Sequence, residues 1–452
     1  MAILEPVNNI SQSTDYNLKE ITIYTTSSGK LDLIPYIVEL NYFEDIYNCS
    51  VSGKIVLSEA FGVVRRNYLT GSELLIITFG SAFGGTPITK SFAIFSVSDR
   101  SFDIGNNFET YIINFGTDDL MISERYKISK SYPKTKISDI VTDILERKLK
   151  TGTPYEIQPT TGVYDFVISN KKIFHAVNWL AQYALPDYAN SGADMLFFEN
   201  NEGYKFKSLQ SLYKQSPVYE YSYNPKNVNL STSTVSKLES QRKNILSLEV
   251  LKNFDMLDSI FKGSYSNRLI HIDTITRKKG TQDFNYEKYF NPSSSLNNTQ
   301  VLEGNASTYV DRFGKKLSEM PDGVSGGFIP AVSRVMVSNS ERNKEEYIND
   351  KNGVVANDFF IQKYLPNRIA QLSLLNYVKI KIIVPGNSDI LAGTTLNINI
   401  LSSDYDSQTN LRKQDEYLSG KYLVTAVRHI INPSRYTTVV ELAKDSKLPE
   451  QK

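Results

Sequence analysis

At 452 residues the chain is longer than one hydrophobic core usually serves, and three or four compact units are expected. Fifty Lys and Arg against 49 Asp and Glu leave a formal charge of +1, which lacks the basic excess of a tight phosphate binder and argues against a sequence-specific nucleic-acid reader. The single cysteine, Cys49, excludes an internal disulfide framework and fits assembly in a reducing cytoplasm.

The opening MAILEPVNNISQSTDYN has neither the basic nor the apolar region of a secretory signal, and no apolar run approaches the roughly 20 residues of a membrane span. Glycosylation sequons begin at Asn9, Asn48, Asn229, Asn297 and Asn305; in a chain this rich in Asn, Ser and Thr they read as chance. Tyr at 29 and Phe at 22 against a single Trp favours pleated surfaces and interfaces.

From Glu20 to Asp119 short strand-like runs alternate with turn residues: EITIYTT, LDLIPYIVELNYF, SVSGKIVLSE, GSELLIITFG, KSFAIFSVS and FETYIINFG. This spacing predicts an antiparallel barrel or sandwich. Near Lys136 the period lengthens to about 3.6, with Ile137, Ile140, Val141, Ile144 and Leu145 on one helical face. A second amphipathic helix follows at Ile173, Ala176, Val177, Leu180, Ala181 and Ala184, and Pro186 stops it. Residues 126–225 therefore read as an α+β unit closing with strand-like FKSLQ and VYEYSYN. Strand text returns around NILSLEVL. An irregular stretch follows, with NPSSSLNN and PDGVSGG as loops or mobile linkers. Helical character lies between Asp358 and Asn376, with Pro366 opening or kinking its last part, and strands run from YVKIKIIVPG to Leu442.

The last β region reads like the first. LTGSELLIITF resembles LAGTTLNINIL, matching Gly71 to Gly393 and Leu74 to Leu396. KSFAIFSVS resembles GKYLVTAVR, placing Ile94 on Val424, and TYIINFGTD resembles TTVVELAKD, placing Asp118 on Asp445. Three matches in the same order indicate duplication, since alternation alone does not fix spacing. Two related modules per chain would let a closed trimer present six in a ring.

The run VELNYFEDIYNCSVSGKIVLSEAFGVV with LTGSELLIITF, the helix KISDIVTDILERKL, the segment NFDMLDSIFKGSYSNRLIHIDTITRKK with DFNYEKYF, and the terminal YVKIKIIVPGNSDILAGTTLNINI and YLSGKYLVTAVRHII resemble the baseplate central-hub proteins of T-even-type contractile phages. The resemblance implies a mainly β fold with α+β parts, in which two tube-like antiparallel β-barrel domains accompany an α+β domain and a mixed insertion. The expected division is a first tube-like domain over 1–125, the α+β domain over 126–225, and a second tube-like domain over 226–254 and 372–446. An insertion with long loops and a helix occupies 255–371, and a tail 447–452. It further implies a non-enzymatic homotrimer in the virion tail, a pseudo-hexameric ring joining a three-fold central spike to six-fold tail tube proteins beside other baseplate proteins. DNA would pass through it without being gripped, and no membrane insertion is expected.

No catalytic, cofactor-binding or metal residues are assigned. His175, His271 and His429 fall in different predicted elements with no second Cys or His at ligand spacing, so they read as structural or solvated. GVSGG fits G-x-S-x-G with Ser325 as nucleophile, but KKLSEMPD before it and FIP after it are not the strand and helix that this chemistry needs. Asp118 with Asp119 and Glu345 with Glu346 are expected to point to opposite faces and form no glycosidase pair. GSAFGG lacks the Lys and Ser/Thr of a nucleotide cradle, and Arg65–Arg66 and Arg277–Lys279 read as solvated charge. The competing readings are a tail-borne cell-wall hydrolase, which needs two converging carboxylates, and the spike-hub of a type VI secretion or other contractile injection system. The latter would be expected to carry a β-helical needle beyond Leu442.

Overall fold

The structure, a computed structural model, describes residues 12–448 except 224–237, 300–331, 338–354, 357–360 and several shorter stretches. The first 116 residues supply β1 (Tyr16–Thr25), β2 (Gly29–Asp32), β3 (Ile37–Asp45), β4 (Ser52–Glu59), β5 (Leu74–Ser81), β6 (Ile88–Asp103) and β7 (Phe108–Gly116). Then come α1 (Asp118–Arg125), β8 (Lys127–Thr135), α2 (Ile137–Asp143), β9 (Tyr155–Ile157), β10 (Val163–Lys172), α3 (Ile173–Ala181), β11 (Met195–Asn200), β12 (Gly203–Ser208) and α4 (Leu209–Tyr213). After them lie β13 (Tyr219–Tyr223), β14 (Ser247–Lys252), α5 (Met256–Lys262), β15 (Ser266–Ile272), β16 (Lys279–Asn285), β17 (Ser333–Val337), β18 (Val355–Ala356) and α6 (Ile361–Leu374). The chain closes with β19 (Val378–Pro385), β20 (Thr395–Tyr405), β21 (Arg412–Gln414), β22 (Gly420–Asn432) and β23 (Arg435–Lys444).

Period-two burial shapes the long strands. In β4, Gly53, Ile55 and Leu57 face inward; in β19, Ile380, Ile382 and Val384 do the same while Lys379 and Lys381 lean outward. Each fully buried Ile or Leu contributes on the order of 1.5–3 kcal/mol, so a one-residue slip that inverted a strand would forfeit several such terms. The helical period also holds: Ile137, Ile140, Val141, Ile144 and Leu145 are all buried in one core with the inward face of α3. After Ile144–Leu149 the chain turns out of this helix through Lys150 at φ 54.

Fourteen described strands, β1–β7 with β13, β14 and β19–β23, form one sheet. The remaining strands make three small sheets, β18-β10-β8, β11-β12-β9 and β16-β15-β17. The mainly β expectation with α+β parts is met. FKSLQ, read as strand, splits into the end of β12 and the start of α4, where the Ser208 hydroxyl caps the turn by accepting from the Ser211 N–H. Asp118 and Asp119 open α1 rather than a strand, because the β7 ladder ends at Gly116 and two acids suit a helix N-terminus. NPSSSLNN is no free linker at its described end: Leu296 is buried, the Asn297 amide donates to the carbonyls of Lys421 and Ser446, and its oxygen accepts from the Lys421 N–H.

The large sheet contains the same pattern twice. In the first half the strands lie in the order β1-β5-β6-β7-β4-β3. In the second they lie as β13-β20-β22-β23-β19-β14, with the β13 pairing parallel where β1 is antiparallel. A register shift separates Ile94 from Ser96 in β6 and Val424 from Ala426 in β22, the same place at an offset of 424 − 94 = 330. The match of Leu74 to Leu396 is off by one residue. Leu75 lies opposite Phe92 and Leu396 opposite Tyr422, so the equivalent of Leu396 is the buried Leu75. Gly71 (φ 91) and Gly393 (φ 85) do mark equivalent turns, and the first turn holds one residue more before its strand.

Candidate assembly interface

The two halves meet where β22 changes neighbour. Gly420–Leu423 pair with β20, and on the same edge Ala426–Ile431 pair antiparallel with Asp45–Leu40 of β3. One long strand thus belongs to both halves.

His429, opposite Tyr42 across this seam, is fully buried among Tyr42, Phe79 and Tyr436, with ring centroids 5.7–5.9 Å away. Its Nδ1 lies 2.8 Å from the Tyr436 hydroxyl and 3.3 Å from that of Thr438. Burial pushes its pKa down to about 3, so it stands neutral in the core. Beside it the Arg428 guanidinium donates to the Asn41 side chain at 2.7 Å and lies 3.6 Å from Glu39.

Two buried carboxylates bind the neighbouring loops. Glu44 accepts from the Ala392 N–H at 2.9 Å, the Asn201 N–H at 2.8 Å and the Tyr42 hydroxyl at 3.3 Å. Burial raises its pKa to about 7, against the pull of these donors and of Lys90. Glu199 in β11 accepts from the Lys90 ammonium at 2.6 Å, the Val51 N–H at 3.0 Å and the Thr117 hydroxyl at 3.1 Å. Apolar contacts reinforce the joint: Ile46, Leu196, Phe198, Leu209, Leu296, Leu375 and Leu423 share one core. Buried Arg368 of α6 donates to the carbonyls of Ala181 and Met195. In the second half Lys444 is buried, donates to the carbonyls of Tyr417 and Ser419, and has its pKa lowered to about 7 by burial.

Sequence reasoning missed Glu44 and Lys444. A signal was present: Glu44 stands in phase with Leu40 and Tyr42, and Lys444 in phase with Val440 and Leu442, charges at inward positions of an alternating strand.

The residues considered for chemistry are not gathered. His175 is exposed on α3, His271 lies on β15, and His429 is in the seam. Buried Asp119 accepts from the hydroxyls of Thr151 and Tyr204, a lock within the α+β core, and Asp118 beside it has its pKa raised by burial and by Asp119. GSAFGG ends β5 and turns into Thr86, whose N–H donates to Asp389 at 2.9 Å, so this glycine turn ties the first half to the second. Arg277 takes φ 57 and Lys279 opens β16. Ser325, Glu345, Glu346, Arg65, Arg66 and Lys278 lie outside the described residues. Among the described residues no group of three His, Cys, Asp or Glu could hold a metal, and no helix is long and apolar enough to cross a membrane. A cavity of about 310 Å³ is lined by Tyr219, Tyr221, Arg242, Lys243, Pro385, Gly386 and Asn387, a set without a carboxylate.

No family model matches the chain. A curated relative does: "Probable baseplate hub protein gp334" of Vibrio phage KVP40 is 24% identical over 430 residues, 91% of this chain and 90% of the relative. By sequence the chain is similar to a phage baseplate hub protein. Its fold agrees with tail proteins. The tail protein of Neisseria meningitidis MC58 superposes with a TM-score of 0.52 at 10% identity, covering 95% of this chain and 97% of that one. The 43 kDa tail protein of prophage MuSo2 from Shewanella oneidensis gives 0.50 at 9% identity, covering 95% and 99%. The hub resemblance therefore extends along nearly the whole chain, both halves of the large sheet included.

Proposed function

We propose that the chain is a structural hub of a contractile-tail baseplate, three copies of which form a ring that presents six like modules to a six-fold tube and three-fold positions to a central spike. The observation that carries this reading is the doubled strand order with its shared bulge. One chain that holds two modules of one shape can meet six-fold and three-fold partners from a single closed trimer. Each half of the sheet forms the wall of a tube-like module, with the division into 1–125, 126–225, 226–254 plus 372–446, and the insertion 255–371 between.

The chain acts without catalysis in this reading. Its buried carboxylates Glu44, Glu199 and Asp119 are spent on backbone and side-chain donors of neighbouring elements. The near-neutral charge of +1 suits a conduit that passes DNA without holding it, since many phosphate contacts would slow transit. Location in the virion tail follows from the hub role. Light scattering on the purified chain, alone and mixed with its spike protein, is expected to give three copies per particle in at least one condition. A monomer in both, or turnover of cell-wall substrate by the purified chain, overturns the proposal.

A further inference from the structure

The inner seam uses an edge of β22 and an edge of β3, and the repeat supplies a second example of each. β6 is the counterpart of β22: it pairs with β5 only through Ala93, and from Ser96 onward that edge meets no other described strand. β14 is the counterpart of β3: it pairs with β19 along one edge and ends the sheet order, its other edge meeting no described strand. Each half thus carries one seam half that is used inside the chain and one that meets no described strand.

Beside charged residues such as Arg100 and Glu249, these two edges carry exposed apolar side chains at positions whose counterparts in the inner seam are buried. Register through β7 and β23 makes Phe102 the counterpart of Ile431; Ile431 is 1% exposed and Phe102 63%. Register through β4 and β19 makes Val250 the counterpart of Tyr42; Tyr42 is 0% exposed and Val250 42%. Phe95 on β6 and Phe254 just beyond β14 are exposed as well. An open edge flanked by large apolar side chains pairs with another chain unless something blocks it, and the shape it fits is the one the repeat already provides.

We propose that β6 beyond Phe95 pairs antiparallel with β14 of a second copy of this chain, so that the seam between copies repeats the seam within each. Carrying over the register of β22 on β3 sets Ser98 opposite Lys252 and Phe102 opposite Leu248. The contact is head-to-tail, because each copy offers β6 on one side and β14 on the other, and such a contact closes into a ring when the rotation permits. This rests on the ring reading above and adds which strands make it.

The test uses the full chain with Cys49→Ser, which removes the native thiol, plus Ser98→Cys, Lys252→Cys or both, treated with a short bis-maleimide and run on a denaturing gel. The double variant is expected to give covalent species ending at three chains. A mixture of the two single variants should give linked pairs, and each single variant alone none. Circular dichroism matching the parent shows that the variants fold. Particles of three chains by light scattering without these cross-links overturn the seam and leave the ring reading standing. Links that run beyond three chains uphold the seam and overturn the ring of three. Monomers throughout overturn both.

Discussion

Replacing His429 by Phe separates the ionisation of this residue from its packing. In the folded chain the imidazole stays neutral down to about pH 3, whereas the unfolded chain takes up a proton near its ordinary value of 6.5. Because the folded pKa is depressed, the unfolded state binds more protons below 6.5, and stability falls as pH drops from about 6.5 towards 3. Between pH 7.5 and pH 5 this withdraws about 2 kcal/mol, from 1.36 kcal/mol per pKa unit over the roughly 1.5 units that separate 6.5 from 5. Glu44 works in the opposite sense over the same interval. Its folded value near 7 lies above the usual 4.5, so its contribution grows as pH falls from about 7 towards 4.5. The parent chain is therefore expected to change little between these two pH values on account of this pair, and His429→Phe should expose the imbalance. At pH 7.5 the variant loses the contact with the Tyr436 hydroxyl, a cost of about 1 kcal/mol. At pH 5 the variant should have recovered about 2 kcal/mol relative to the parent. Urea denaturation followed by far-ultraviolet circular dichroism, run on both proteins at both pH values, measures the difference. A parent-to-variant gap that is the same at pH 5 and pH 7.5 refutes the assignment of a neutral core imidazole.

Glu44→Gln should behave in the reverse way, losing stability relative to the parent as pH falls from 7.5 to 5, in the same urea experiment. Glu199→Leu leaves the Lys90 ammonium, 13% exposed, without its carboxylate, and is expected to cost about 3–5 kcal/mol, read as a lower urea midpoint. Gly53→Ala places a methyl group 2.1 Å from the Phe115 ring and 2.4 Å from the Asn41 carbonyl oxygen, and should cost at least about 1–3 kcal/mol, seen as a lower melting temperature. Asn297→Ala removes an amide that bridges Lys421 and Ser446, and about 1–3 kcal/mol of destabilisation with faster amide exchange around Lys421 is expected.

What was legible in the sequence is what is local. Alternation in SGKIVLSE and VKIKIIVP gave strands and their inward faces, and the lengthened period after Lys136 gave α2 with its buried stripe. The duplication could be read because both copies keep a glycine turn and the order of their strands, although a single extra residue after Gly71 displaced the pairing of Leu74. The apolar alternation of FETYIINFG runs up to Asp118 and Asp119 and so extends the strand pattern over them, and only the end of the β7 ladder shows the helix. The docking of Leu296 and Asn297 on the chain's last residues had no local signature, since their partners are over a hundred positions away. The seam of β22 on β3 was hidden for the same reason. Glu44 at the seam and Lys444 within the second half left traces in phase with their strands, yet a trace in one strand does not name the loop that it will meet.

Arg428 and the Asn41 that it contacts are separated by 387 positions. A ribosome delivers the edge of β3 long before the strand that covers it, so Leu40–Asp45 must wait for Ala426–Ile431 to emerge. During that interval the nascent protein displays an uncovered template for pairing with any passing strand, and slow, non-local closure lengthens the exposure. Truncation anywhere before Ala426 is therefore expected to leave that edge uncovered and send the product towards aggregation, read as loss of soluble protein.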